Sequence, residues 1–279
     1  MIFYRALTFF LLGFMAISAS AQQINWLKDF NEAKAHARQT GKPILLNFTA
    51  EWCGVCRVMD KDFWPRADVA KFAGRFVAVK VDFGGNVDLR EQYYVRNTPY
   101  VLFLDPWGNL LTSFVGFGKN ADKELMRRGS LVPGDFTSIK AEIELLETAP
   151  NNKTALAKAA DFYYDNKFYS SGSRFYNRLV KLETSPAKRE PLLARIAFSY
   201  LRNMQNEMAL DALSKLEKEF PATQFADAVL YVRIVIYVRR ESPVEAQKLL
   251  EKLKTRYPGS AYLEESNRLV AQSLAAKKN

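Results

Sequence analysis

The chain is poor in metal-binding side chains, with two cysteines and one histidine among 279 residues. A structural zinc site needs four ligands. Here both cysteines fall in one Cys-x-x-Cys pair, Cys53 and Cys56, and His36 stands alone on a helical stretch. No metal and no cofactor are therefore expected. A c-type haem attachment would need a histidine after the second cysteine, and Arg57 is there instead. Disulfide staples are lacking too, because a pair that closes a two-residue loop removes little chain entropy. Glycine (13) and proline (11) are too few for a low-complexity chain, and 48% apolar content argues against general disorder. The excess of 40 basic over 30 acidic residues gives +10. Without a dense Lys/Arg cluster interleaved with aromatics this reads as a mixed, solvated surface, and no nucleic-acid partner is expected.

The one long apolar run is N-terminal. Arg5 precedes Ala6–Ile17 (ALTFFLLGFMAI), which is too short to span a bilayer comfortably. Ala19-Ser-Ala21 is an A-x-A cleavage signature. The segment reads as a signal peptide, residues 1–21, cleaved after Ala21, with an uncleaved anchor as the alternative. Gln22 in place of cysteine after that site argues against a lipoprotein. Export, and a periplasmic location, are the expectation, and disulfides persist in such a compartment.

After the signal, Asn31–Gln39 reads as a helix stopped by Thr40-Gly41, with His36 on a surface or half-buried face. Pro43–Phe48 reads as a buried strand, followed by a helix from Cys53 to Trp64 just before Pro65. Phe76–Phe83 (FVAVKVDF) is a second strand, Val87–Tyr94 a helix and Tyr100–Leu104 a third strand. Asp105-Pro-Trp-Gly-Asn109 is a hairpin turn into Leu110–Val115, and Asn120–Arg128 is a closing helix with Gly129 as its expected C-cap. This alternation builds an α/β domain with a mixed sheet over 22–129.

Residues 130–135 (Ser130-Leu-Val-Pro-Gly134 at their core) read as a linker. Beyond it, over 136–279, strand signals mostly vanish. Phe136–Glu147, Lys153–Asp165, Phe168–Glu183, Pro191–Asn203, Glu207–Phe220, Gln224–Arg240, Pro243–Tyr257 and Ala261–Ala276 each read as helices. Ala209…Leu213…Lys215-Leu216…Phe220-Pro221 recurs as Ala246…Leu250…Lys252-Leu253…Tyr257-Pro258, 37 residues later. A weaker copy lies at Phe175…Leu179…Leu182…Pro186. The period resembles a degenerate tetratricopeptide array without that family's full Trp, Leu-Gly, Tyr pattern; an irregular helical bundle is the alternative. The aromatics Phe162 to Tyr176 fall at helical spacing and read as inter-helix packing, with a peptide groove as the second reading.

The chemistry concentrates in Asn47-Phe-Thr-Ala-Glu-Trp-Cys-Gly-Val-Cys-Arg57. The thiolate is the nucleophile in exchange. A cysteine at a helix N-terminus is stabilised as thiolate by free N–H groups and the macrodipole. Cys53 is placed there, so its pKa is expected below the free value, and Cys56 one turn later can attack a mixed disulfide at Cys53. No histidine lies between them, which favours a reducing or intermediate potential.

Phe48-Thr-Ala-Glu-Trp-Cys-Gly-Val-Cys resembles the active-site motif of the thioredoxin superfamily, and Thr98-Pro99 before an apolar strand resembles its cis-proline segment. The resemblance spans about Trp26 to Gly129. It implies an α/β thioredoxin fold followed here by an all-α helical-repeat (tetratricopeptide-like) domain. It implies Cys53 as exposed nucleophile and Cys56 as buried resolving thiol, with Trp52 shielding the pair. It also implies a cis Pro99 that sets the Thr98 backbone to pair with a substrate strand. Asn47 stands where thioredoxins usually carry a buried Asp, and an amide cannot deprotonate the resolving thiol. Glu51, Lys80 or water then takes that role, or exchange is slower; Lys80 resembles the family lysine beside the buried acid. No proline interrupts the active-site helix in its middle. The stretch Arg57–Asp82 is similar to exported thioredoxin-like proteins, among them the periplasmic C-terminal domain of the transmembrane reductant exporter DsbD.

The function expected is an exported thiol–disulfide oxidoreductase whose partners are disulfide-containing proteins or a membrane thiol reductant, with the helical domain binding a peptide or protein. A tetratricopeptide-like adaptor with a structural or redox-sensing thioredoxin fold is the alternative from another class, and an isomerase or chaperone is a third reading.

Overall fold

The computed structural model describes residues 23–276; the expected signal segment, 1–21, lies outside them. Helix α1 (Phe30–Thr40) starts at Asp29, whose carboxylate accepts from the Glu32 N–H at 2.8 Å, and stops at Gly41, where φ is 71°. The sheet is built from β1 (Ile44–Thr49), β2 (Val77–Asp82), β3 (Tyr100–Leu104) and β4 (Leu110–Val115) in the order β2-β1-β3-β4. β1 and β2 are parallel, while β3 runs antiparallel to both β1 and β4. β1 is buried on both faces, which is why its sequence is an apolar run rather than an alternation.

Alternation along the strands still sorts side chains into two layers. Ile44, Leu46 and Phe48 join Phe30, Ala33 and Ala37 of α1 and Tyr93 after α4 (Val87–Gln92). Leu45, Val101 and Phe103 face the other way, onto Met59, Phe63, Trp64 and Phe72. Those four come from the connection after β1, which is not one regular helix. α2 (Gly54–Val58) continues into a π-helical segment (Met59–Phe63), closed by the Trp64 N–H donating to Met59 C=O at 2.9 Å, before α3 (Ala67–Ala73). A π-turn distorts a helix without proline, so the sequence, which shows no mid-helix proline, gives no sign of it.

α5 (Ala121–Ser130) contains Gly129 rather than ending before it. This corrects its reading as a C-cap. A Cβ at Gly129 would stand 2.3 Å from Phe72 and 2.7 Å from Phe103, so the glycine is needed for close approach of α5 to the sheet layer. The segment after α5 carries Val132 and Phe136 into the same apolar cluster, which runs on without a break into the helices beyond.

Those helices are α6 (Thr137–Thr148), α7 (Lys153–Asp165), α8 (Tyr169–Leu182), α9 (Pro186–Arg202), α10 (Asn206–Glu219), α11 (Ala226–Arg239), α12 (Pro243–Arg256) and α13 (Leu263–Ala276). α9 begins at Pro186, not Pro191; Pro191 lies inside it, where the lost N–H faces the exposed first turns. The 37-residue spacing is a property of the backbone. α8, α10 and α12 start at 169, 206 and 243, and α11 and α13 at 226 and 263. The inter-helix turns repeat it with left-handed residues Lys167, Met204 and Glu241, each followed by an N–H that donates back to the carbonyl of Tyr163, Tyr200 or Tyr237. Leu156, Leu193 and Leu230 are buried at the same spacing. None of the three left-handed residues is glycine, so the first two turns carried no sequence signal of the repeat.

The α/β and helical parts are keyed together by a buried polar cluster. Asp105, in the β3–β4 hairpin, is fully buried and accepts from Trp107 N–H (2.9 Å), Asn109 N–H (2.8 Å) and Asn109 Nδ2 (2.8 Å). Its remaining partner is the Tyr163 hydroxyl of α7. Ser171 of α8 donates to Leu110 C=O at 2.6 Å and Arg128 to Ser113 C=O at 2.7 Å, so side chains occupy two carbonyls of the edge strand β4. Among the described residues no helix is long and apolar enough to cross a membrane.

Candidate active site

Cys53 is the N-cap of α2, and Cys56 sits in its first turn. The two are joined as a disulfide. The Cys56 N–H donates to Cys53 Sγ at 3.1 Å, so an orphan amide of the first helical turn points at the sulfur that would carry charge after reduction. Both sulfurs lie under cover: Cys53 is 6% exposed and Cys56 3%, packed with Ala50 and Phe83. Cys53 is thus more buried than the exposed nucleophile the motif implies, packed as it is against Ala50 and Phe83.

Thr98 reaches the pair from the start of β3. Its Oγ1 stands 2.7 Å from Cys56 Sγ. Neither sulfur of a disulfide holds a proton, so the hydroxyl donates. The Thr98–Pro99 peptide bond is cis, and Pro99 C=O accepts from Gly116 N–H at 2.9 Å. β1 ends beside the start of β3, with Phe48 opposite Tyr100, and this register brings Thr98 to Cys56 although the two are 42 residues apart.

The remaining expected residues divide. Trp52 is 70% exposed and sets its ring edge-on to Phe83 at 6.1 Å, beside the disulfide. Glu51 is exposed, and its backbone carbonyl accepts from Arg57 Nη1 at 2.6 Å. Arg57 is thereby held against the turn that carries Cys53. A cation directly after the second cysteine is a signal visible in the sequence. Lys80 pairs with Asp60 at 2.5 Å and lies 4.8 Å over the Trp26 ring. It is in register with Asn47, yet Asn47 Oδ1 is buried without a hydrogen-bond partner. The two are therefore neighbours in the sheet but do not form a polar pair.

A family model described as Thioredoxin-like matches residues 25–106. Thioredoxin H5 of Arabidopsis thaliana is 31% identical over 107 residues, which are 38% of this chain and 87% of that protein. The chain belongs to the thioredoxin family. The thiol:disulfide interchange protein DsbD of Colwellia psychrerythraea is 30% identical over 111 residues, 37% of this chain and 18% of that protein. A solved DsbH oxidoreductase is 28% identical and aligns over 39% of this chain and 87% of its own, with a TM-score of 0.34. The chain spans 18% of the length of that DsbD, 62% of Thioredoxin-T of Drosophila melanogaster and 43% of the mitochondrial thioredoxin of Mus musculus. The family model's residues lie within the α/β part, and the chain continues beyond them into the helical region.

Proposed function

We propose that this thioredoxin-family chain is an exported thiol–disulfide oxidoreductase that reduces or exchanges disulfides in envelope proteins through Cys53 and Cys56. One observation carries the reading: the cysteine pair sits at the N-terminus of α2 with the Thr98 hydroxyl on Cys56 Sγ. In the reduced protein the Cys53 thiolate attacks a substrate disulfide, forming a mixed disulfide and releasing one substrate thiolate. Cys56, as thiolate, then attacks Cys53 Sγ, releases the second substrate thiolate and leaves the Cys53–Cys56 disulfide. The substrate gains two electrons and the protein loses two, so each cycle needs a dithiol donor such as a membrane thiol reductant. Residues 1–21 supply the argument for export. The 37-residue helical spacing supports a tetratricopeptide-like array that binds a peptide or protein.

Thr98 and Pro99 would present the start of β3 to the substrate, and Trp52 would form the apolar rim. With Lys80 engaged by Asp60, water is the better-supported proton acceptor for Cys56. Turnover of insulin disulfides with dithiothreitol tests the proposal. Activity lost in Cys53→Ser supports it; no turnover by the unaltered chain rejects it. The unpartnered Asn47 favours a second reading, a helical adaptor with a redox-sensing thioredoxin fold. An inert Cys53 thiol toward iodoacetamide at neutral pH would select that one.

A further inference from the structure

A cleft of about 540 Å³ lies between α8 and the loop from α4 to β3, with Tyr200 of α9 on its wall. It stands at Leu110, which pairs near Leu104 at the end of the sheet opposite Phe48 and Tyr100. A strand of this length separates it from the disulfide by roughly 15–20 Å. Arg174, Arg178 and Lys181 of α8 line it, and among the described residues no acid does. None of the three forms an ion pair with a described residue. Arg178 donates from its guanidinium to Pro150 C=O at 2.5 Å, which holds that group in place.

The repeat sets α8 beside α10 and α12. At the positions of Arg174 and Arg178, α10 carries Asp211 and Lys215, which pair with each other at 2.7 Å. On α12 the same positions are Lys248 and Lys252, one residue from Glu251, which pairs with Lys254 at 3.1 Å. α8 alone of the three has no acidic residue. Two neighbouring acids are already engaged: Asp105 is fully buried in its own cluster, and Glu183 is held by Lys153 and by the amides of Thr184 and Ser185. Burial and the neighbouring Arg174 also pull the Arg178 guanidinium below its ordinary pKa, as expected for cations crowded without counter-charge.

We propose that this cleft binds an extended acidic peptide segment. Arg174 to Lys181 spans two turns of helix, about 10 Å, which is too long for one anion and matches carboxylates two or three residues apart on an extended chain at ~3.3 Å per residue. Tyr94, 76% exposed, and Tyr200 add aromatic surface to the lining, and Tyr and Arg are among the side chains that most often dominate such contacts. The site holds a partner at the pole away from Cys53 and leaves the disulfide free to react. It stands whether or not the cysteines turn over substrate.

Fluorescence anisotropy of a labelled Asp/Glu peptide of about six residues, titrated with the full chain, tests the proposal. Saturable binding is expected, weakened about ten-fold or more by the pair R174E/K181E, weakened less by R174Q/K181Q, and unchanged by C53S. Circular dichroism of each variant confirms folding. No binding, equal binding of a lysine peptide, insensitivity to both double variants, a single glutamate or inorganic phosphate binding as tightly as the peptide, or tighter binding of a single-stranded oligonucleotide would each overturn it.

Discussion

The Thr98 hydroxyl donates to Cys56 Sγ across 2.7 Å, linking the residue before the cis-proline to the inner sulfur of the pair. After reduction the same hydrogen bond stabilises Cys56 as thiolate, the form that resolves a mixed disulfide. A hydrogen bond of this kind is worth ~1 kcal/mol, about five-fold in rate or affinity. T98V is therefore expected to slow resolution about five-fold and to raise the Cys56 pKa, while T98S retains both. Stopped-flow resolution of a preformed mixed disulfide, followed against pH, reads the two effects together.

Asn47 is 2% exposed with an unpartnered Oδ1, and Lys80 is engaged by Asp60. N47D places a carboxyl there with no counter-charge in contact, so burial raises its pKa above the ordinary value. A raised acid pKa takes stability away as pH climbs from the unfolded value through the folded one. N47D should be close to the parent in stability at pH 5 and weaker by ~1–3 kcal/mol at pH 8. Urea denaturation at the two pH values measures this, and equal losses at both would reject it.

Asp105 shows the same linkage in the native chain. Burial pushes its carboxyl up, against hydrogen bonds from Tyr163 and Asn109 that pull it down. The folded form therefore holds its proton more tightly than the unfolded chain. This group's contribution is greatest below about pH 3.9 and falls as pH rises through the folded pKa. Relative to the parent, D105N should lose less stability at pH 8 than at pH 5. Y163F, which strips a donor from Asp105 across the junction with α7, should cost ~1–3 kcal/mol. Urea unfolding curves of both variants across pH give these differences.

At Gly129 the prediction is steric. Its Cβ position lies 2.3 Å from Phe72 and 2.7 Å from Phe103, both within the core. G129A should destabilise by ~1–3 kcal/mol through overpacking, although alanine ordinarily favours a helix. A thermal unfolding midpoint at or above the parent's would contradict this packing.

Much of the architecture was legible because it rests on local pattern. The apolar runs Ile44–Phe48 and Tyr100–Leu104 and the breaker clusters between them specify strands. The eight helices after residue 136 follow from periodicity, including Val229–Val238, whose β-branched residues are overruled by burial between α9 and α12. The extent of the repeat was hidden because Lys167, Met204 and Glu241 adopt a backbone normally marked by glycine. The π-helical turn at Met59–Phe63 has no proline to announce it. At the site, the cysteines are visible as a motif. The Thr98 contact, the Asp60–Lys80 pair and the Asp105–Tyr163 junction depend on side chains from distant segments, which spacing alone does not bring together.

In the proposed reaction Cys53 attacks a substrate disulfide and Cys56 releases it. Mass spectrometry of the reduced C56S chain after incubation with a disulfide-bonded peptide tests this most directly. A mixed disulfide on Cys53 that persists is expected, with no such adduct accumulating on the unaltered chain. Absence of an adduct on Cys53, or an equal adduct on Cys56 in C53S, would contradict it.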